Sequence, residues 1–302
     1  MRTLGRLAVA TVLAVLALPA HAALRVVTTT EGLAAIAREV AGDRASVESL
    51  SRGVQDPHFV DANPLLAVKL RDADLLIDVG LELEVGWLPP LVTQSRNGRI
   101  QPGASGRLTA ASAIQVLDLP TGPVDRSRGD IHPAGNPHFL TDPRRAVQVA
   151  KAIAERLASL DPSGAEGYRG RAAAFGKKID AALVRWRAQL APVQGRALFT
   201  HHRTLVYFLD WTGLKSAGEM EPRPGTPPPP AHLAELVQLA KREGVKADVV
   251  EGYYDRRSDE LVARLSGGKV AVIPGDVGGE PAAKSYEDWI SILVTRVVEA
   301  LG

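Results

Sequence analysis

Four short loops in this sequence carry side chains able to hold a metal ion. His58 stands in Asp56-Pro57-His58, His138 in Asn136-Pro137-His138, the pair His201-His202 follows Thr200, and Asp276 lies in Gly275-Asp276-Val277-Gly278-Gly279. Neutral imidazoles joined by one carboxylate make the donor set of a tetrahedral zinc-type site. The loops are far apart in sequence, so such a site has to be assembled by tertiary structure, between two lobes.

The elements that would position these loops alternate between strand and helix. Residues 24–29 form a β-rich run, and Leu33, Ile36, Ala37 and Val40 then recur at helical spacing behind Thr30 as N-cap. Residues 47–50 read as a second strand that runs into the His58 loop. Asn63-Pro64 is a helix start, Asn as cap and Pro at the first helical position, and that helix runs to about Arg71. Residues 75–79 read as a third strand. Asp142-Pro143 repeats the start signal ahead of Ala146, Ala150, Ile153 and Leu157.

A different pattern fills residues 164–190. Tyr168, Ala172, Phe175, Ile179, Leu183, Trp186 and Leu190 fall at spacings of three and four, one apolar stripe on a long helix. At 1.5 Å per residue it spans roughly 40 Å, enough to connect two lobes along their backs. Alternation then resumes: a strand at 198–200, a helix after His202 stopped by Gly213, a proline-rich rigid loop at 222–230, and a helix opened by Pro230. Strands at 247–250 and 270–273 flank a helix at 258–265. Ser285 and Asp288 form a capping-box start to the last helix. The fold class is therefore α/β: two β/α lobes with largely parallel sheets, joined by one long helix, with the metal site in the cleft between them. The division expected is 1–22 leader, 23–163 first lobe, 164–192 linking helix and 193–302 second lobe.

Compartment limits what such a site is for. Arg2 and Arg6 precede an apolar run over residues 7–18, and Ala20-His21-Ala22 is a small-x-small cleavage site, so residues 1–22 read as a secretory signal peptide cut near Ala22. No later segment approaches the roughly 20 apolar residues of a membrane-spanning helix. With no cysteine, the chain has no disulfide, no zinc thiolate site and no cysteine-borne lipid. Cleavage would remove two of 36 basic residues and none of 34 acidic ones, which leaves no net charge to attract nucleic acid or an anionic membrane. A soluble periplasmic monomer is expected.

The ordered motifs carry a resemblance over essentially the whole mature chain. Asp56-Pro57-His58 ahead of a Pro-initiated helix, Ala73-Asp74-Leu75-Leu76 and the run Gly129-Asp130-Ile131-His132-Pro133-Ala134-Gly135-Asn136-Pro137-His138 are similar to those of solute-binding proteins of zinc/manganese ABC transporters. His202 with Tyr207-Phe208, Glu221-Pro222-Arg223-Pro224-Gly225 and Asp276-Val277-Gly278-Gly279 extend the match. The resemblance implies that His58 and His138 of the first lobe, with His202 and Asp276 of the second, hold an ion. It further implies that the ion is passed to an inner-membrane permease driven by a cytoplasmic ATPase. Loops leaving the carboxyl ends of parallel strands converge on one crevice, which gives that set a physical basis.

Several choices stay open at this level. His201 and His202 are adjacent, so only one should face the site, and the spacing to Tyr207-Phe208 favours His202. His132 is either a loop residue held by a backbone hydrogen bond or an accessory histidine in metal capture. Three imidazoles and a carboxylate favour zinc, although affinity alone would also allow copper or nickel; a manganese or iron binding protein of the same type is the alternative. The long His- and acid-rich loop of many zinc-uptake relatives is absent between His58 and His138, so a separate periplasmic metallochaperone could supply the ion. A zinc-dependent hydrolase is the competing class, but no HExxH or nucleophile-elbow motif supports it. The expectation is a binding protein and not an enzyme.

Overall fold

In a computed structural model, the structure describes residues 23–120, 122 and 132–302; the leader at 1–22 and residues 129–131 of the His138 run lie outside the described residues. Two four-stranded parallel sheets form the two lobes. The first has β1 (Leu24–Thr28), β2 (Ala45–Ser49), β3 (Leu75–Asp78) and β4 (Arg107–Thr109) in the order β2-β1-β3-β4. The second has β5 (Ala197–Thr200), β6 (Lys215–Glu219), β7 (Ala247–Glu251) and β8 (Lys269–Ile273) in the order β6-β5-β7-β8. Each sheet thus reverses its winding at its first strand, and a crevice opens there beyond the carboxyl ends of the strands.

The helix starts follow the capping chemistry legible in the sequence. Thr30 accepts from Leu33 N at the start of α1 (Glu31–Ala41), Asn63 from Leu65 N at α2 (Pro64–Arg71), and Asp142 from Arg144 N at α4 (Pro143–Leu160). Ser285 and Asp288 make a reciprocal capping box at α9 (Tyr286–Leu301). Helices α6 (Val206–Thr212), α7 (Pro230–Glu243) and α8 (Arg257–Ser266) each end at a left-handed glycine. Sequence reading missed β4, β6 and α3 (Leu88–Ser95). The strand β4 is three residues long, β6 reads Lys-Ser-Ala-Gly-Glu with no β-branched residue, and α3 hides behind Pro89-Pro90, which its first turn tolerates.

The long helix is α5 (Ala165–Leu190), and all seven residues of its expected apolar stripe are buried. It packs on α4, α1 and α9, so it touches both lobes. Near its start the Arg171 guanidinium donates to Val40 O and Ala41 O, satisfying carbonyls at the end of α1. Near its end Trp186 donates to Ser291 Oγ on α9 at 3.0 Å. One continuous hydrophobic core runs from Val26 of the first lobe through α4 and α5 to Leu301. The lobes also meet backbone to backbone: a Cβ on Gly53 would lie 2.0 Å from Val277 O, so only glycine fits there.

Candidate metal centre

Each loop singled out in the sequence leaves the carboxyl end of a strand. His58 follows β2, His138 follows β4 and precedes α4, His202 follows β5, and Asp276 follows β8. Among the described residues, one group of three metal-competent side chains is brought together, and it is His58, His138 and His202, with one ligand nitrogen of each within 4.8 Å of the others. Ring centroids are 5.1 Å apart for His58 and His138, 5.3 Å for His58 and His202, and 5.8 Å for His138 and His202. A tetrahedral zinc needs nitrogens about 3.3 Å apart, a spacing that three rings gathered this closely can supply.

Protein groups behind these rings set their tautomers. His58 Nδ1 donates to Asp56 Oδ1 at 2.7 Å. Burial works to raise the Asp56 carboxyl, but the bonds from His58 outweigh it and hold it below the usual carboxylate range. His202 Nδ1 donates to Glu221 Oε2 at 3.0 Å, an oxygen that also accepts from Gly225 N at 2.9 Å. In the neutral form both rings therefore carry the lone pair on Nε2, and the carboxylate behind each fixes its orientation. His138 Nε2 is fully buried and has no hydrogen-bond partner. Burial, with the neighbouring His58, His202 and His132, lowers the basicity of that ring well below the ordinary histidine range. It is thus a neutral imidazole with an unused lone pair, the state in which histidine binds metal.

His201 turns the other way. Its Nδ1 donates to Asp259 at 2.9 Å, and its ring stacks on Tyr254 with centroids 4.6 Å apart. The adjacent residues diverge, with His202 facing the centre. His132 is held by a backbone hydrogen bond, Nδ1 donating to Leu81 O at 2.9 Å, and its Nε2 lies 3.3 Å from Nε2 of His58.

Asp276 lies outside the histidine group. Its Oδ2 accepts from Gly32 N at 2.9 Å and its Oδ1 from Val277 N at 2.8 Å, so it sits at the amino end of α1. Burial pushes its carboxyl up to about 7, against the lowering effect of those backbone donors. It shares with His138 a small interlobe cavity of about 60 Å³, also lined by Thr30, Thr204, Glu251 and Tyr253. Glu251 was not singled out from the sequence. It is buried, accepts from Thr204 Oγ1 through Oε1, has no partner on Oε2, and is likewise pushed up to about 7 by burial. Asp56 could have been found from its place two residues before His58; Glu221, 19 residues beyond His202, has no local spacing signal.

The family model for the zinc-uptake complex component A, periplasmic, matches residues 26–300. The zinc-binding lipoprotein AdcA of Streptococcus pneumoniae is 25% identical over 276 residues, 89% of this chain and 54% of that protein. The chain thus spans about half the length of that relative. The high-affinity zinc uptake system protein ZnuA of Paracoccus denitrificans is 26% identical over 333 residues, 98% of each chain. The manganese ABC transporter substrate-binding lipoprotein PsaA of Streptococcus pneumoniae is 24% identical over 246 residues, 80% of this chain and 76% of that protein. A crystal structure of ZnuA superposes with a TM-score of 0.77 at 20% identity, covering 93% of this chain and all of the other. With a family match running from β1 to the last turn of α9, the chain belongs to the family of zinc-uptake complex component A, the periplasmic metal-binding solute-binding proteins of ABC transporters.

Proposed function

We propose that this protein captures zinc in the periplasm and hands it to an ABC-type permease of the inner membrane, binding the ion without transforming anything. One observation carries the reading: imidazoles from both lobes converge, two with Nδ1 tied to a carboxylate and the third with Nε2 buried and unpartnered. Three nitrogen donors favour zinc over the harder manganese, which takes oxygen ligands and higher coordination. His58, His138 and His202 are the core ligands. Two side chains compete for the fourth position, Asp276 of the second lobe and His132 of the first. A closed four-ligand shell suits carriage, whereas hydrolysis needs an open position for water.

The test is a zinc and manganese competition titration on the metal-stripped mature chain beside His58→Ala and His202→Ala. One tight zinc equivalent, weakened by both changes and with manganese far weaker, is the expected result. Manganese bound as tightly as zinc would move the reading to the manganese alternative, and no tight binding would reopen the hydrolase.

A further inference from the structure

Three of the four tryptophans, we propose, are positioning residues for metal binding: Trp87, Trp211 and Trp289 each use a buried indole N–H to fix the backbone of a loop that carries a proposed or competing ligand. The inference rests on the capture reading and deepens it. Trp87 Nε1 donates to Pro57 O at 2.9 Å, directly before His58. Trp211 Nε1 donates to Thr141 O at 3.0 Å, and Thr141 Oγ1 in turn donates to His138 O at 2.9 Å. Trp289 Nε1 donates to Pro274 O at 2.8 Å, two residues before Asp276. The fourth, Trp186, donates to Ser291 Oγ between α5 and α9 and touches no ligand loop through its N–H. A buried indole has to find an acceptor, so one such bond carries little; the landing of three on three separate ligand loops is what points to the site.

The geometry is most complete at His58. The carbonyl of Pro57 and the N–H of His58 belong to one rigid peptide plane, which also contains the Cα of His58. Trp87 holds the carbonyl end, and at the other end His58 N donates to Asp56 Oδ1 at 2.9 Å. With both ends tied the plane cannot turn, and the bond that aims the imidazole starts from a fixed atom. Trp87 is itself fixed. Its side chain lies in a buried cluster with Leu50, Val60, Leu66 and Leu91, and its backbone N donates to Glu84 O at 3.1 Å. The Glu84 carboxylate accepts from Thr29, Val79 and Gly80, which anchors this turn to the chain just beyond β1 and β3. A ligand held in place before the ion arrives loses little freedom on binding, so these bonds act as affinity and as slow release.

The experiment compares Trp87→Phe, Trp211→Phe, Trp289→Phe and Trp186→Phe with the unsubstituted mature chain. It reads zinc release to a chelator, the visible spectrum of cobalt(II) bound in place of zinc, and urea unfolding of the metal-free form. Phenylalanine keeps an aromatic ring and removes the N–H. The inference expects zinc release about three- to tenfold faster in the first three variants, the share of one hydrogen bond, together with an altered cobalt spectrum. Trp186→Phe should lose comparable stability and leave release and spectrum unchanged. Unchanged release and spectrum in the three loop variants, or the same changes in Trp186→Phe, would overturn the inference and leave zinc capture standing. If one variant does not fold, the other two loops carry the same test. Failure of the unsubstituted chain to hold one zinc would overturn the capture reading and this inference with it.

Discussion

The Asp276 carboxylate of the second lobe accepts a hydrogen bond from Gly32 N, in the first turn of α1 of the first lobe, at 2.9 Å. Anionic oxygens are favoured at a helix amino terminus, where unsatisfied N–H groups and the helix dipole meet. The contact therefore ties the lobes at the floor of the cleft. It also requires glycine: a Cβ at position 32 would stand 2.5 Å from Asp276 Oδ1 and 3.2 Å from Leu140 Cδ1.

Gly32→Ala is accordingly expected to displace Asp276 and destabilise the metal-free protein by about 1–3 kcal/mol, the cost of unmaking a buried charged hydrogen bond. Urea unfolding measures it. Unchanged stability would mean that the carboxylate moves aside without loss and does not brace the lobes. Helix propensity alone would make alanine the better residue there, so the sign of the change separates the two effects.

The fold class, and the three histidines that the structure brings together, could be read from the sequence because their signals are local. Asn63-Pro64, Asp142-Pro143 and Ser285 with Asp288 announce helix starts through chemistry within four residues, and period-three-to-four burial marks α5. What escaped was set by distant partners. The place of Asp276 on α1 depends on Gly32, 244 residues away; the tautomer of His202 depends on Glu221; and the orientation of His132 depends on a carbonyl 51 residues earlier in the chain. Strands β4 and β6 are short or poor in β-branched residues and are held by pairing with β3 and β5, so their own sequence says little.

The two adjacent histidines should separate stability from binding. His202→Ala removes a proposed ligand and should weaken zinc binding by about two orders of magnitude or more, roughly 3 kcal/mol. His201→Ala leaves the fully buried Asp259 without its 2.9 Å donor, so its cost should appear in folding stability, with zinc affinity changing far less. Isothermal titration with zinc and thermal unfolding on both variants provide the check. Equal losses of affinity would show that His201 reaches the ion.

The shared core bears on the size of the metal-linked movement. With α5 packed on both α1 and α9, and Gly53 against the backbone of Val277 across the cleft, a large closure would have to break buried contacts. Metal-free and zinc-bound crystal structures should therefore differ by about 1–2 Å, in the loops carrying the histidines and not in the relative placement of the lobes. A rigid-body rotation of one sheet against the other would contradict this.

Stability should also carry a pH signature from Glu84. Burial chiefly, with the nearby Asp78 charge, raises its carboxyl to about 7 against the lowering effect of bonds from Thr29, Val79 and Gly80. A carboxyl whose proton is held more tightly in the folded state than in the unfolded chain, where it titrates near 4.5, favours folding most below that lower value. That contribution is lost progressively as pH rises from about 4.5 through 7, and amounts to a few kcal/mol at most. Glu84→Gln cannot titrate, so the stability difference between wild type and variant should drift against the wild type across that window and level off above it. Asp276 and Glu251 titrate in the same range, but they are common to both proteins and cancel in the difference. Urea unfolding of the metal-free pair at pH 5, 6, 7 and 8 reads this out. A difference that stays flat with pH would mean that Glu84 is ionised throughout, braced by its three donors as a carboxylate.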